Sequence, residues 1–395
     1  MSRIRLPFLF GVSCLALTLG LAHAQPVQTV PGMPAVTDPM NVYSEDQTGK
    51  MSPATAGALS RVYVPNVKSG DVYVIDPAKF EVVDHYNVGG NPQHIIPSWD
   101  MKTLWVAGSA ERKLPGILTP IDPKTGKPGK TVNVQDAYNL YFTPDGREAI
   151  VVAEALKRLE FRDPQTMEMH SNLATPQCAG LNHADFTADG KFAIFTCEFG
   201  GGGLVKIDMV GRKVLNYMKL TAQSMPNMPG MKTSSMPQDI RISPDGKVFY
   251  VADMMADGVH LIDPEQFKEI GFIPTGRGAH GLYPSRDGKK LYVTNRGTHM
   301  GDIKPNGPGS ISAIDFATRK VEKNWPIPGG GSPDMGNVSA DGKTLWVSGR
   351  FDKMVYAIDT TTGAVKSIPV GTEPHGLTVW PQPGRYSLGH TGNMR

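Results

Sequence analysis

The stretch that decides the fold is GDVYVIDPAKFEVVDHYNV, residues 70–88. A β-branched and aromatic run, VYVID, stops at Asp76; a short break follows, and EVVDHYNV begins a second run. Composition and the bounding turn read as two strands of a hairpin. The first run recurs as LTPID ending at Asp122, LEFRD at Asp163, LVKID at Asp208, VHLID at Asp263, ISAID at Asp315 and VYAID at Asp359. Successive aspartates are 46, 41, 45, 55, 52 and 44 residues apart. Seven units of four short strands fit that period, the range of propeller blades.

A second marker runs in phase with the first. The turns SWDMK, TPDGR, TADGK, SPDGK, SRDGK and SADGK place an acid at Asp100, Asp145, Asp189, Asp245, Asp287 and Asp341. Asp-Gly suits a tight hairpin, because glycine takes positive φ without a Cβ clash. Strand-like runs such as KFAIFTC, KLYVTNR and TLWVSG follow these turns, and no long helical periodicity competes. The motifs RVYVPN, GDVYVIDPAKFEVVDHYNV and GTEPHGLTVWP resemble the YVTN-type repeats of the YncE-like β-propeller family over roughly residues 61–380. That resemblance implies an all-β, seven-bladed propeller of four-stranded antiparallel blades. It implies no single activity: similar propellers are binding modules, and related folds host lactonases, lyases, copper oxidoreductases and amine-dehydrogenase subunits.

With strands lettered A to D from the axis outwards, the chain enters at strand B of the first blade, RVYVPN. The missing A strand is expected from HGLTVWP, residues 375–381, so that the C-terminal strand closes the first blade and protects its edges. The expected organisation is a leader over 1–24, an extended Pro/Gly-rich arm over 25–60, the propeller over 61–381 and a tail over 382–395. Arg3 and Arg5, an apolar LPFLFGVSCLALTLGL and Ala22-His23-Ala24 read as a signal peptide cut after Ala24. Cys14 follows Gly-Val-Ser, a poor lipobox. Periplasmic or secreted location follows as an expectation.

The chain has 40 Lys and Arg against 37 Asp and Glu. Losing Arg3 and Arg5 with the leader leaves it near neutral, without the basic field that nucleic acid requires. No transmembrane span is expected after cleavage, and a monomer is expected. Cys178 and Cys197 lie at the two ends of one hairpin, CAGLNHADFTADGKFAIFTC. In an oxidising compartment the pair reads as a disulfide; thiolate metal ligands or two buried free thiols are the alternatives.

Strand direction puts D-to-A and B-to-C connections on one face and the Asp-Gly turns on the other. The two long repeat steps come from insertions on the first face, SMPNMPGMKTSSM (224–236) and RGTHMGDIKPNGPGS (296–310), which marks it as the binding face. The starts of the A strands converge there: Gln93-His94, Tyr138-Asn139, Asn182-His183, Gln238-Asp239, His280-Gly281, Asp334-Met335 and His375-Gly376. Glu198 opens the glycine-rich EFGGGG loop beside them. Neutral imidazole is a versatile ligand and thioether sulfur favours soft ions. A copper site built from His94, His183, His280 and His375, from Met225, Met228, Met231 and Met236, or from both is therefore a candidate. The alternatives are histidines that only pack the blades or contact an organic ligand, and methionines that contact a partner protein or have no role. His94 and His183 stand one residue out of register with His280 and His375, so a single ring of four is not implied.

CxxCH, HExxH and GxSxG are absent, and GKPGKT (126–131) lacks the first glycine of a P-loop. The sequence thus reads as a periplasmic binding protein with a ligand or metal, copper foremost, at the channel mouth. The alternatives are a metal-dependent oxidoreductase or lactonase-like hydrolase, and an interaction scaffold for another periplasmic protein.

Overall fold

The computed structural model describes residues 26–109, 115–223, 232–299 and 308–395. They form seven antiparallel sheets of four strands; in the second blade the outermost strand is split in two. No α-helix occurs among the described residues. The A strands are Asn91–Pro97, Asn139–Phe142, Leu181–Phe186, Pro237–Ile242, Ala279–Pro284 and Pro333–Val338 for blades 2 to 7, and Thr378–Trp380 for blade 1.

Both sequence markers are local hydrogen-bond devices. The aspartates that end the C strands cap the C-to-D turns: Asp76 accepts from the amide of Ala78, Asp208 from Val210 and Gly211, and Asp359 from Thr361 and Thr362. In the A-to-B turns a hydroxyl donates to the marker acid, as Thr143 does to Asp145 at 2.6 Å and Ser285 to Asp287 at 2.6 Å. The same hydroxyls accept an amide five residues on. Each turn therefore closes on its own side chains, which is why the repeat shows in the sequence.

The core lies between blades rather than at the axis. Seven apolar clusters fill the seven blade interfaces; Phe161 and Val152 of blade 3 meet Phe186 and Phe195 of blade 4, for example. The ring closes as expected: Arg61, Val62 and Tyr63 pair with Trp380, Val379 and Thr378. The closing strand proper is three residues long. His375 ahead of it is held by its amide bonding Pro65 at 3.0 Å.

The arm and the tail both belong to the folded body. The arm crosses the Asp-Gly face: the amide of Val30 bonds Asp189 of blade 4, Val42 bonds Pro244 of blade 5, and Asp46 pairs with Arg286 of blade 6. The tail folds back into the axis. Tyr141 bridges Gly389, Phe142 donates to Leu388 at 3.0 Å and His390 donates to Leu140 at 2.9 Å. A Cβ on Gly389, at φ +105°, would lie 2.5 Å from Leu140 O, so only glycine passes here. Asp185 fixes the far end of this segment, accepting from Asn393 and Arg395 at 2.7 Å each. The axial channel is thus filled from the turn face and open toward the loop face.

Trp380 is fully buried where the ring closes. Trp380→Ala is expected to lower unfolding stability by about 3–5 kcal/mol in urea titration; a loss under about 1 kcal/mol would mean that the closing strand contributes little.

Candidate functional site

At the open end, the A-strand starts and the loops around them enclose a cavity of about 760 Å³. Gln93, Tyr138, Gln238, His280 and His375 come from the inner strands or, for Tyr138 and His375, just ahead of one. Glu198, Arg296 and Arg350 come from the ends of B strands, and Lys157 stands exposed at the rim.

One buried carboxylate organises this floor. Asp334 accepts from Arg296 Nε at 2.7 Å and lies 2.6 Å from its second nitrogen. His375 Nδ1 sits 2.6 Å from the other oxygen, and His280 Nδ1 lies 3.0 Å from the first, out of line for a hydrogen bond. Arg350 approaches only to 3.8 Å from Asp334 and 3.7 Å from Glu373. Burial alone would push the Asp334 carboxyl up; the Arg296 guanidinium above all, with Arg350 behind it, outweighs burial and holds it below the usual carboxylate range. Burial, with the arginines beside them, pushes both histidines well down, so both are neutral. An ionised Asp334 against neutral His375 fixes the tautomer: Nδ1–H donates and Nε2 keeps the lone pair. Glu198 accepts from Asn182 at 3.0 Å and is pushed up chiefly by burial.

Beneath the floor the imidazoles continue as a column. His94 lies 4.7 Å from His375, 5.3 Å from His183 and 5.2 Å from His390, and His183 lies 4.4 Å from His390. The approach of His94 to the closing strand depends on Gly376, where a Cβ would meet the His94 ring at 2.2 Å. Burial lowers all three, His94 to about 4.

The four expected histidines therefore share the axis but form no ring. His280 and His375 serve Asp334, while His94 and His183 join His390, which lies in the segment read only as a tail. Asp239 stands below the mouth. It accepts from Arg241 at 2.8 Å and from the amide of Leu282 at 2.9 Å, tying blade 5 to blade 6. Gln93, Gln238 and Glu198 line the cavity, with Asn182 and Asp334 fully buried behind them. Cys178 and Cys197 are joined in a disulfide, Cα atoms 5.0 Å apart, beside the cavity residues Ala179, Gly180 and Glu198. Arg296 and Arg350 were missed, although both stand where a B strand ends, in KLYVTNR and TLWVSGR.

Met225, Met228 and Met231 lie outside the described residues. Met236 is buried at 5 % exposure, where strand A of blade 5 begins. The two ends of this insertion are clamped together. Gln223 and Thr233 exchange hydrogen bonds; Thr221 donates to Glu269 at 2.8 Å, and Met236 donates to Asp253 at 2.9 Å. His260 bridges the two acids, 2.9 Å from Glu269 and 3.3 Å from Asp253. Burial would lower it, but hydrogen bonds to Asp253 and Glu269 prevail and hold it above the usual histidine value.

Fold and site together define a seven-bladed propeller with a polar cavity at one end of a filled axis. The chain belongs to the YNCE-like beta-propeller family, whose profile matches residues 32–383. It is 25% identical to the uncharacterized protein YncE of Salmonella typhi over 307 residues, 71% of this chain and 75% of that protein. It is 29% identical to Antigen Lp49 of Leptospira interrogans over 171 residues, 37% of this chain and only 34% of the antigen's length. Among solved structures, hydrazine synthase of Kuenenia stuttgartiensis aligns with a TM-score of 0.62 at 18% identity, covering 79% of this chain and 94% of that one. At that identity the likeness shows the fold alone.

A raised folded pKa means that His260 stabilises the fold fully below the unfolded histidine value, about 6.5, and less as pH rises through the folded value. His260→Gln is expected to cost about 1–3 kcal/mol near pH 5.5, with the deficit narrowing as pH rises through the folded value. Denaturant titrations across a pH series measure it, and a deficit unchanged with pH would contradict the charged clamp.

Proposed function

We propose that the protein is an exported binding propeller whose mouth cavity takes a small organic acid. The observation that carries this is Arg350. Its Nη1 is buried without a hydrogen-bond partner, and both nearby carboxylates stand beyond hydrogen-bond distance. A guanidinium nitrogen buried without an acceptor is costly, and a ligand carboxylate matches the planar fork. The cavity volume falls within the range of small-molecule sites. Support for export comes from the leader-like first 24 residues and from the Cys178–Cys197 disulfide.

The Asp334–His375 pair favours a second reading, a lactonase-like hydrolase. An imidazole oriented by a buried carboxylate, with Nε2 free to accept, is the arrangement of a general base. His375 would take a proton from water as its oxygen attacks the lactone carbonyl, then return it to the ring oxygen as the C–O bond breaks. The product, a hydroxy acid, is the ligand class that Arg350 suits.

Calorimetric titration with small carboxylic acids and their amides tests the binding reading. Acids are expected to bind and the matching amides not, with Arg350→Leu weakening the acids about 10- to 100-fold. Equal binding of amides, or an unaffected Arg350→Leu variant, would refute it. Lactone hydrolysis that disappears in His375→Gln while acid binding survives would establish the second reading.

A further inference from the structure

Below the mouth, three imidazoles from distant parts of the chain meet: His94 from blade 2, His183 from blade 4 and His390 from the threaded C-terminal segment. All are buried, and one ring nitrogen of each lies within 4.8 Å of one from each of the others. His94 Nδ1 donates to the Tyr138 carbonyl at 2.9 Å, which leaves Nε2 as a lone pair. The Asn139 side-chain amide faces Nδ1 of His183 at 3.2 Å and of His390 at 2.9 Å. Nε2 of all three histidines is buried without a hydrogen-bond partner. Buried polar atoms are rarely left unpaired, and three on neighbouring rings ask for a partner.

We propose that His94, His183 and His390 form a three-imidazole site for one Cu(I) ion. Imidazole suits copper, zinc and nickel alike, so charge makes the choice. The ligands are neutral; Asp239 Oδ1 lies 3.6 Å from His390 Nε2 but is balanced by Arg241 at 2.8 Å, and Asp185 is balanced by Arg395. Burying an ion costs free energy as the square of its charge, so a dication here costs about four times as much as a monovalent ion. Metal–nitrogen bonds of about 2 Å place the three nitrogens about 3.5 Å apart, so metal binding has to draw the rings together from a spacing of up to 4.8 Å. Ligation through Nε2 moves the proton of His183 and His390 to Nδ1, with no net release. Asn139 then has to turn its carbonyl toward those Nδ1–H groups. This site is separate from the acid-binding cavity and stands or falls independently of it.

Anaerobic titration of the full chain with Cu(I) against a chromophoric chelator, with X-ray absorption on the loaded protein, tests the proposal. One ion per chain is expected, bound by three nitrogens at about 2 Å with no sulfur. His94→Gln, His183→Gln and His390→Gln should each weaken binding about 100-fold or more, and Asn139→Asp, which supplies an acceptor to both Nδ1–H groups, should tighten it. Replacing Met225, Met228 and Met231 together with Leu should change nothing. Because His390→Gln also touches the threaded segment, the absorption spectrum of the unaltered protein decides the ligand set without it. No binding, a sulfur ligand, loss only with the methionine variant, or tighter Zn(II) than Cu(I) would each overturn the proposal.

Discussion

The carboxylate of Asp185 holds the axis together. It accepts from the amide of Ile242 on the next blade at 2.8 Å, and from Asn393 and Arg395 of the C-terminal segment. One buried charge thereby joins two blades and the segment that fills the channel. Seven inner strands that converge leave a polar, narrow space that side chains alone do not fill. The returning chain fills it, satisfying backbone groups of Leu140 and Phe142 as another strand would. Removing one partner of such a pair leaves a buried charge uncompensated, so the geometry above it depends on this contact.

From there the arrangement follows level by level. Threading places His390 against His183 and His94, and His94 packs beneath His375. His375 is turned by Asp334, which is also the anchor of Arg296. Arg350, the one guanidinium at the mouth whose Asp334 contact is long, is left to face the cavity. The same burial that keeps the axial histidines neutral is overcome at His260, where two acids converge, and that residue binds the ends of the methionine-bearing insertion.

Much of the fold was legible because its markers are local. The Asp of each C strand and the Asp of each A-to-B turn bond within a few residues, so their spacing reports the blades directly. The closing strand was legible as the missing partner of RVYVPN, and the disulfide as two ends of one hairpin. The axis was less legible. Whether His94 and His280 share a level depends on strand stagger between blades, which no local pattern records. His390 escaped because GRYSLGHTGNMR carries no repeat, although its apolar Tyr386 and Leu388 and closely spaced Gly384, Gly389 and Gly392 are the mark of a segment packed against backbone. The arginines escaped because a charged residue at a strand end reads as solvent-facing unless the cavity beside it is known.

The central claim is that residues 382–395 are an integral part of the channel rather than a loose tail. Hydrogen-exchange mass spectrometry of that peptide tests it directly. Protection of the His390 and Asn393 amides comparable to that of the A strand Leu181–Phe186 is the predicted result, since all would open only with the ring. Exchange of those amides at the rate of an unstructured peptide, while the A strand stays protected, would contradict the account.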